Sequence, residues 1–246
     1  MPSLPDLTTL KAVLFDLDGV LTPTAEVHQR AWADLFSAFL AEYAESIGTE
    51  QAAWTRQDYF DHLDGRPRLD GVRTVLKARG IDLPEGDASD GPDAQTVHGL
   101  AARKNSAFTT ALERDGVQAY PGSVRLLEHL AAAGTPMAVV SSSANAPAVM
   151  ATAGIDHFFA EVVDGAVAAA EKLAGKPAPD TFLHAAERLG ATAATSAVLE
   201  DATSGVAAGA AGHFAHVIGV NRGAGRQALL DSGATIVVDD LEELLP

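Results

Sequence analysis

Two carboxylates stand one residue apart where an apolar run ends, in Lys11-Ala12-Val13-Leu14-Phe15-Asp16-Leu17-Asp18-Gly19-Val20-Leu21-Thr22. A short, wholly apolar run reads as a buried strand of a parallel sheet. In such sheets ligands gather beyond the C-terminal ends of the strands. Two acids placed there are costly to strip of water unless a cation sits between them. A hard divalent ion is the simplest partner, because Mg²⁺ takes oxygen ligands. The plainer alternative is a strand followed by an acidic turn.

Three later segments have a related form. Val139-Val140-Ser141-Ser142-Ser143-Ala144-Asn145 ends an apolar run in hydroxyls and an amide just before a predicted helix. Such groups, with the N–H groups of a helix start, suit a phosphoryl oxygen, although serine and asparagine are also ordinary N-caps. In Glu171-Lys172-Leu173-Ala174-Gly175-Lys176-Pro177-Ala178-Pro179-Asp180 the proline biases Lys176 toward extended backbone. That lysine is either a solvated loop residue or a fixed cation opposing a carboxylate and a phosphate. Val198-Leu199-Glu200-Asp201-Ala202-Thr203-Ser204-Gly205 again closes a strand with acids. The alternative there is that Asp201 only caps the helix that follows.

These residues need a scaffold that brings strand ends together. Residues 11–15 read as the first strand, and 137–140, 161–163, 197–199, 216–220 and 235–238 as the others. Helical patterns lie between them at 124–133, 180–189 and 206–211, which implies a doubly wound parallel sheet. No strand signal occurs between 25 and 115. There, Trp32, Leu35, Phe36, Phe39 and Leu40 recur at helical spacing. The expected organisation is therefore an α/β core of residues 1–22 and 118–246, interrupted by an all-helical domain at 23–117. An insertion at that point would leave the sheet beside the acids, well placed to act as a lid. Leu83–Asp93 is acidic, with two prolines and two glycines, and reads as a turn-rich surface loop.

Composition narrows the function classes. The chain has 246 residues, a hydrophobic fraction of 47% and a formal charge of −16. Nucleic acid and anionic membrane surfaces are poor partners for such a chain, although a few cations in a cleft can still hold a small anion. There is no cysteine, so disulfides, thiolate metal sites and cysteine catalysis are excluded. The N-terminal residues carry neither a basic start nor a long apolar segment, so the expectation is a cytoplasmic protein. No long exposed apolar stripe is evident, and a monomer is the default.

Taken together, Asp16-x-Asp18-Gly19, Ser141, Lys176-Pro177 and Glu200-Asp201 resemble, in order and spacing, the motifs of the haloacid dehalogenase superfamily. The resemblance covers essentially the whole chain. Phe15–His28 with Arg30-Ala31-Trp32, Tyr120-Pro121-Gly122, Lys176–Asp180 and Arg103-Lys104-Asn105 are similar to the β-phosphoglucomutase-like family within it. The resemblance implies a Rossmann-like α/β core with a helical cap. It further implies that Asp16 is a nucleophile that forms an aspartyl phosphate. Mg²⁺ would be held by Asp16, Glu200, Asp201 and the main-chain carbonyl of Asp18. The Asp18 carboxyl would then be free as general acid and base. Ser141 and Lys176 would bind the transferring phosphoryl group.

The same resemblance assigns Arg68, Ser143 and Asn145 to a second, anchoring phosphate. It places Lys104, His28, Thr24 and Trp32 around the substrate, although by itself Trp32 reads as cap core rather than as a ligand contact. The implied reaction is isomerisation of β-D-glucose 1-phosphate to glucose 6-phosphate, with β-glucose 1,6-bisphosphate as intermediate. One departure stands out: the family commonly has lysine where this chain has Ala144, and Arg66 is the candidate replacement. A hydrolase, in which water takes the phosphoryl group, is the competing reading. A noncatalytic sugar-phosphate sensor would be expected to lack Asp16 or Asp18.

Overall fold

The computed structural model describes residues 4–246. In chain order the elements are β1 (Ala12–Phe15), α1 (Thr24–Ile47), α2 (Arg56–His62), α3 (Arg68–Ala78), α4 (Val97–Asp115), α5 (Pro121–Ala133), β2 (Met137–Val140), α6 (Ala146–Ala153), β3 (Glu161–Val163), α7 (Gly165–Glu171), α8 (Asp180–Arg188), β4 (Ser196–Glu200), α9 (Thr203–Ala211), β5 (His216–Val220), α10 (Arg226–Asp231) and β6 (Ile236–Val238).

Six parallel strands form one sheet in the order β3-β2-β1-β4-β5-β6. This is the doubly wound arrangement expected of apolar strands alternating with helices. Every residue of β1, β2 and β4 is buried, which is why these strands read as unbroken apolar runs. Phe15 is in register with Val139 on one side and Leu199 on the other. Asp16, Ser141 and Glu200 thus fall at one edge of the sheet by register alone. Leu14, Val140, Val198, Phe182 and Val206 form much of the apolar layer between sheet and helices.

The chain divides into two compact units, Met1–Thr24 with Val117–Pro246, and Ala25–Gly116. The second unit is wholly helical among its regular elements. Its core gathers Trp32, Phe36, Phe39, Tyr59, Val75 and Leu100 from four helices. The Thr55 hydroxyl and Asp58 carboxylate form a capping box at the start of α2, and Arg79 pairs with Asp58 at 2.7 Å.

Several boundaries differ from the sequence expectation. Helix α5 starts at Pro121 rather than Val124, since proline is well accommodated where a helix N–H would be unpaired. Helix α1 runs on to Ile47, past the stretch of helix formers that the sequence shows from 25 to about 44. Helix α7 falls within a stretch read only as loop, and the Asp164 carboxylate caps it by accepting from Ala166 and Val167 N–H. The 83–93 loop contains turns and no helix or strand. Asp90 orders it by accepting from Thr96 Oγ1 and Asp87 N–H.

Candidate active site

All four sequence segments meet around one buried ammonium. Lys176 Nζ lies 2.6 Å from Asp16 Oδ1, 2.7 Å from Glu200 Oε1 and 3.0 Å from the Val140 carbonyl. Lys176 and Glu200 are 3% and 1% exposed, and Asp16 is 7%. Burial raises the Asp16 carboxyl well above the ordinary range; Lys176 opposes this, while Glu200 and Asp18 add to it. Burial alone would lower the lysine, but Asp16 and Glu200 outweigh it and hold the ammonium charged.

Asp201, the next residue, completes an acidic set. One ligand oxygen from each of Asp16, Glu200 and Asp201 lies within 4.8 Å of the others. Three carboxylates against one ammonium leave surplus negative charge in a poorly solvated place. That donor set, all hard oxygens, fits a divalent cation such as Mg²⁺.

Two glycines make room for these acids. Gly19 has φ +92°, and a Cβ there would lie 2.0 Å from Asp201 Oδ2. Gly205 opens α9 beside Glu200, where a Cβ would lie 1.7 Å from Oε1. The far oxygen of Glu200 accepts the Ala202 N–H at 2.8 Å, which fixes the carboxylate against the turn. Gly19→Ala should therefore lower stability by about 1–3 kcal/mol through backbone strain, and displacement of Asp201 should weaken Mg²⁺ binding. Thermal unfolding with and without Mg²⁺ checks both effects.

Asp18 is held separately. Thr24 Oγ1 donates to Asp18 Oδ1, and Ser141 Oγ donates to Oδ2 at 3.4 Å. Ser141 Oγ also accepts the Ser143 N–H at 3.1 Å, and Ser143 Oγ the Asn145 N–H at 3.2 Å. The loop after β2 thus folds its hydroxyls onto its own backbone. Asn145 is the N-cap of α6, but its side chain makes no capping hydrogen bond. Ala144 is exposed.

The remaining sequence candidates lie in the helical unit. Lys104 is 3% exposed. Its ammonium contacts His28 Nδ1 and lies 5.2 Å from the Trp32 ring and 4.9 Å from the Phe108 ring. An ammonium only donates, so the Nδ1 contact is acceptor-side for the imidazole. His28 stacks on Phe108 at 4.0 Å. Trp32 belongs to the core of this unit. Arg68 donates from Nη1 to Asn105 Oδ1, and burial lowers its pKa. Arg66, on the same turn, is half-buried.

Sequence reading missed Ser123 and Thr22. Ser123 Oγ donates to the Val20 carbonyl at 2.7 Å, pinning the loop that carries Asp18 to α5. The Tyr120 N–H donates to the Leu21 carbonyl at 2.9 Å and joins the two chain crossings. Small hydroxyl residues beside Pro121 and Pro23 were the available signals, but burial is what makes them informative.

The core is thus a parallel α/β sheet with an Asp-x-Asp loop after the first strand, a serine after the second, and a lysine bonded to Asp16 and to Glu200 at the end of the fourth. The chain belongs to the haloacid dehalogenase-like hydrolase family, whose model matches residues 10–213. More specifically, it is 51% identical over 240 residues to β-phosphoglucomutase of Mycobacterium bovis, covering 96% of this chain and 92% of that one. β-Phosphoglucomutase of Bacillus subtilis is 33% identical over 237 residues, with 96% and 92% covered. The crystal structure of β-phosphoglucomutase from Clostridium difficile superposes with a TM-score of 0.74 at 24% identity, over 96% of this chain and 93% of that one. Among the described residues, no helix is long and apolar enough to cross a membrane.

Proposed function

We propose that this protein isomerises β-D-glucose 1-phosphate to D-glucose 6-phosphate through β-glucose 1,6-bisphosphate, as a monomeric cytoplasmic enzyme with Asp16 carrying the phosphoryl group. The observation that carries the chemistry is the separation of two carboxyls. Asp16 is bound to Lys176, whereas Asp18 is held by Thr24 and Ser141. One carboxylate is thereby oriented for attack on phosphorus and the other for proton transfer. The sugar specificity rests on the 51% identity to a β-phosphoglucomutase across almost the whole chain.

In the proposed cycle, the phosphoryl group on Asp16 passes to the 6-hydroxyl of β-glucose 1-phosphate. The Asp16 oxygen–phosphorus bond breaks, the new ester bond forms, and the hydroxyl proton goes to Asp18. The bisphosphate reorients, and Asp16 attacks the phosphorus at O1. Asp18 returns the proton to the departing O1, releasing glucose 6-phosphate and leaving Asp16 phosphorylated again. Lys176 and Ser141 orient the transferring group, since phosphoryl transfer depends chiefly on positioning and charge neutralisation. Asp16, Glu200, Asp201 and the Asp18 carbonyl would hold Mg²⁺, which when bound offsets the acids and a phosphate oxygen.

We assign Arg68, Ser143 and Asn145 to the phosphate that is not being transferred, with Arg66 in place of the cation missing at Ala144. Arginine's planar fork matches phosphate oxygens. Lys104, His28 and Trp32 would shape the part of the helical unit that takes the sugar. Incubating the protein with Mg²⁺, β-glucose 1-phosphate and a trace of the bisphosphate should yield glucose 6-phosphate with little free phosphate. Phosphate release without isomerised product would replace this reading by a hydrolase.

A further inference from the structure

Thr22 and Thr24 are both fully buried, and their hydroxyl oxygens are 2.7 Å apart. Each hydroxyl has one proton to give. Thr24 gives its proton to Asp18 Oδ1. The contact between the two threonines must then use the proton of Thr22, so donation runs from Thr22 to Thr24 to Asp18. Thr22 Oγ1 has one other partner, the Leu17 carbonyl at 3.3 Å. That carbonyl already accepts the N–H groups of Leu21 and Thr22, each at 3.0 Å. The side chain of Thr22 is therefore not needed to satisfy Leu17.

The backbone of Thr22 has a different task. Its carbonyl accepts the Gly19 N–H at 2.7 Å, closing the loop that carries Asp18. Loop closure thus survives replacement of the side chain, and the hydroxyl can be tested alone. A threonine rotor with no partner on its acceptor side turns among staggered wells. With the Thr22 proton in place, the Thr24 hydroxyl is confined to the orientation that faces Asp18.

We propose that Thr22 is a positioning residue for the reaction: its buried hydroxyl locks that of Thr24 and so fixes the Asp18 carboxyl where it meets the sugar oxygen. This rests on the proton-transfer role given to Asp18 above. Thr22 is fully buried, so its loss should lower kcat and leave KM almost unchanged.

The test uses the full chain with Mg²⁺, β-glucose 1-phosphate and a trace of the bisphosphate, with glucose 6-phosphate and free phosphate followed separately. Thr22→Val keeps the branched shape and removes the hydroxyl. It should lower kcat about tenfold, equivalent to ~1.4 kcal/mol in the barrier, with KM within about twofold. Thr22→Ser should restore wild-type kcat. In a Thr24→Val background the same change should have no further effect, because the chain is already cut. Thr22→Ala, which adds no bulk, makes the same comparison if Thr22→Val fails to fold. An unchanged kcat in the hydroxyl-free variant, an equal loss in Thr22→Ser, or a full further loss beside Thr24→Val would overturn the proposal. The wild-type product ratio reports on the function itself. If the wild type only releases phosphate, the variant-to-wild-type ratio of that release still decides the role of Thr22.

Discussion

Asp16→Asn is expected to lower turnover of β-glucose 1-phosphate by more than about 10⁴-fold, since Asp16 is the nucleophile of the proposed cycle and its loss removes the covalent route itself. The fold should survive. Lys176 keeps Glu200 at 2.7 Å, and the asparagine carbonyl can replace the oxygen at 2.6 Å. The metal-free protein should also change its pH response. The Asp16 carboxyl is raised by burial and by neighbouring acids, so the folded state holds its proton more tightly than the unfolded chain. That stabilisation is complete below the ordinary carboxylate value of 3.8 and is lost as pH rises through the raised value. Asp16→Asn should flatten this decline. Denaturant unfolding across pH in the presence of a chelator measures it, and a variant as pH-sensitive as the wild type would contradict the assignment.

Lys176→Met should have the second largest effect. The side chain is nearly isosteric but carries no charge, and it would leave two carboxylates in a pocket that water barely reaches. Removing one partner of a buried ionic cluster costs about 3–5 kcal/mol, to be read from chemical unfolding without metal. Saturating Mg²⁺ should recover part of that loss, because a ligand that binds only the folded state stabilises it. Turnover should fall with stability yet stay low when Mg²⁺ restores the fold. Lys176→Arg should not rescue activity, since a planar guanidinium cannot occupy the space of an ammonium bonded to Asp16, Glu200 and the Val140 carbonyl. Full activity in either variant would contradict the phosphoryl-binding role proposed for Lys176.

Much of this arrangement was readable before any coordinates. An all-apolar strand ending in acids announces its own burial and direction, and Val139-Val140-Ser141 and Val198-Leu199-Glu200 do the same. Parallel pairing then brings these ends together, as the register of Phe15 with Val139 and Leu199 shows. Lys176 was harder. It follows no strand, and a lysine in a loop with two prolines looks solvent-facing until tertiary packing buries it. Thr22 was invisible for a related reason: a hydroxyl gains meaning only when its partners are known, and those partners are set by the tight loop from Leu17 to Thr24. Helix α7 was missed because Ala168-Ala169-Ala170 has no apolar periodicity, and the Asp164 cap that starts it resembles any loop aspartate. In the helical unit, spacing identified Trp32, Phe36 and Phe39 as a core stripe. It gave no sign that Lys104 would lie buried beside them with His28.

The most direct measurement is the mass and position of a phosphoryl group on the protein. The enzyme is mixed with Mg²⁺ and β-glucose 1,6-bisphosphate, quenched in acid and digested. The expected result is one added phosphoryl group on the peptide containing Asp16, lost on treatment with hydroxylamine and absent from Asp16→Asn. A stable adduct on a serine or histidine, or glucose 6-phosphate accumulating in turnover with Asp16 never modified, would contradict the account.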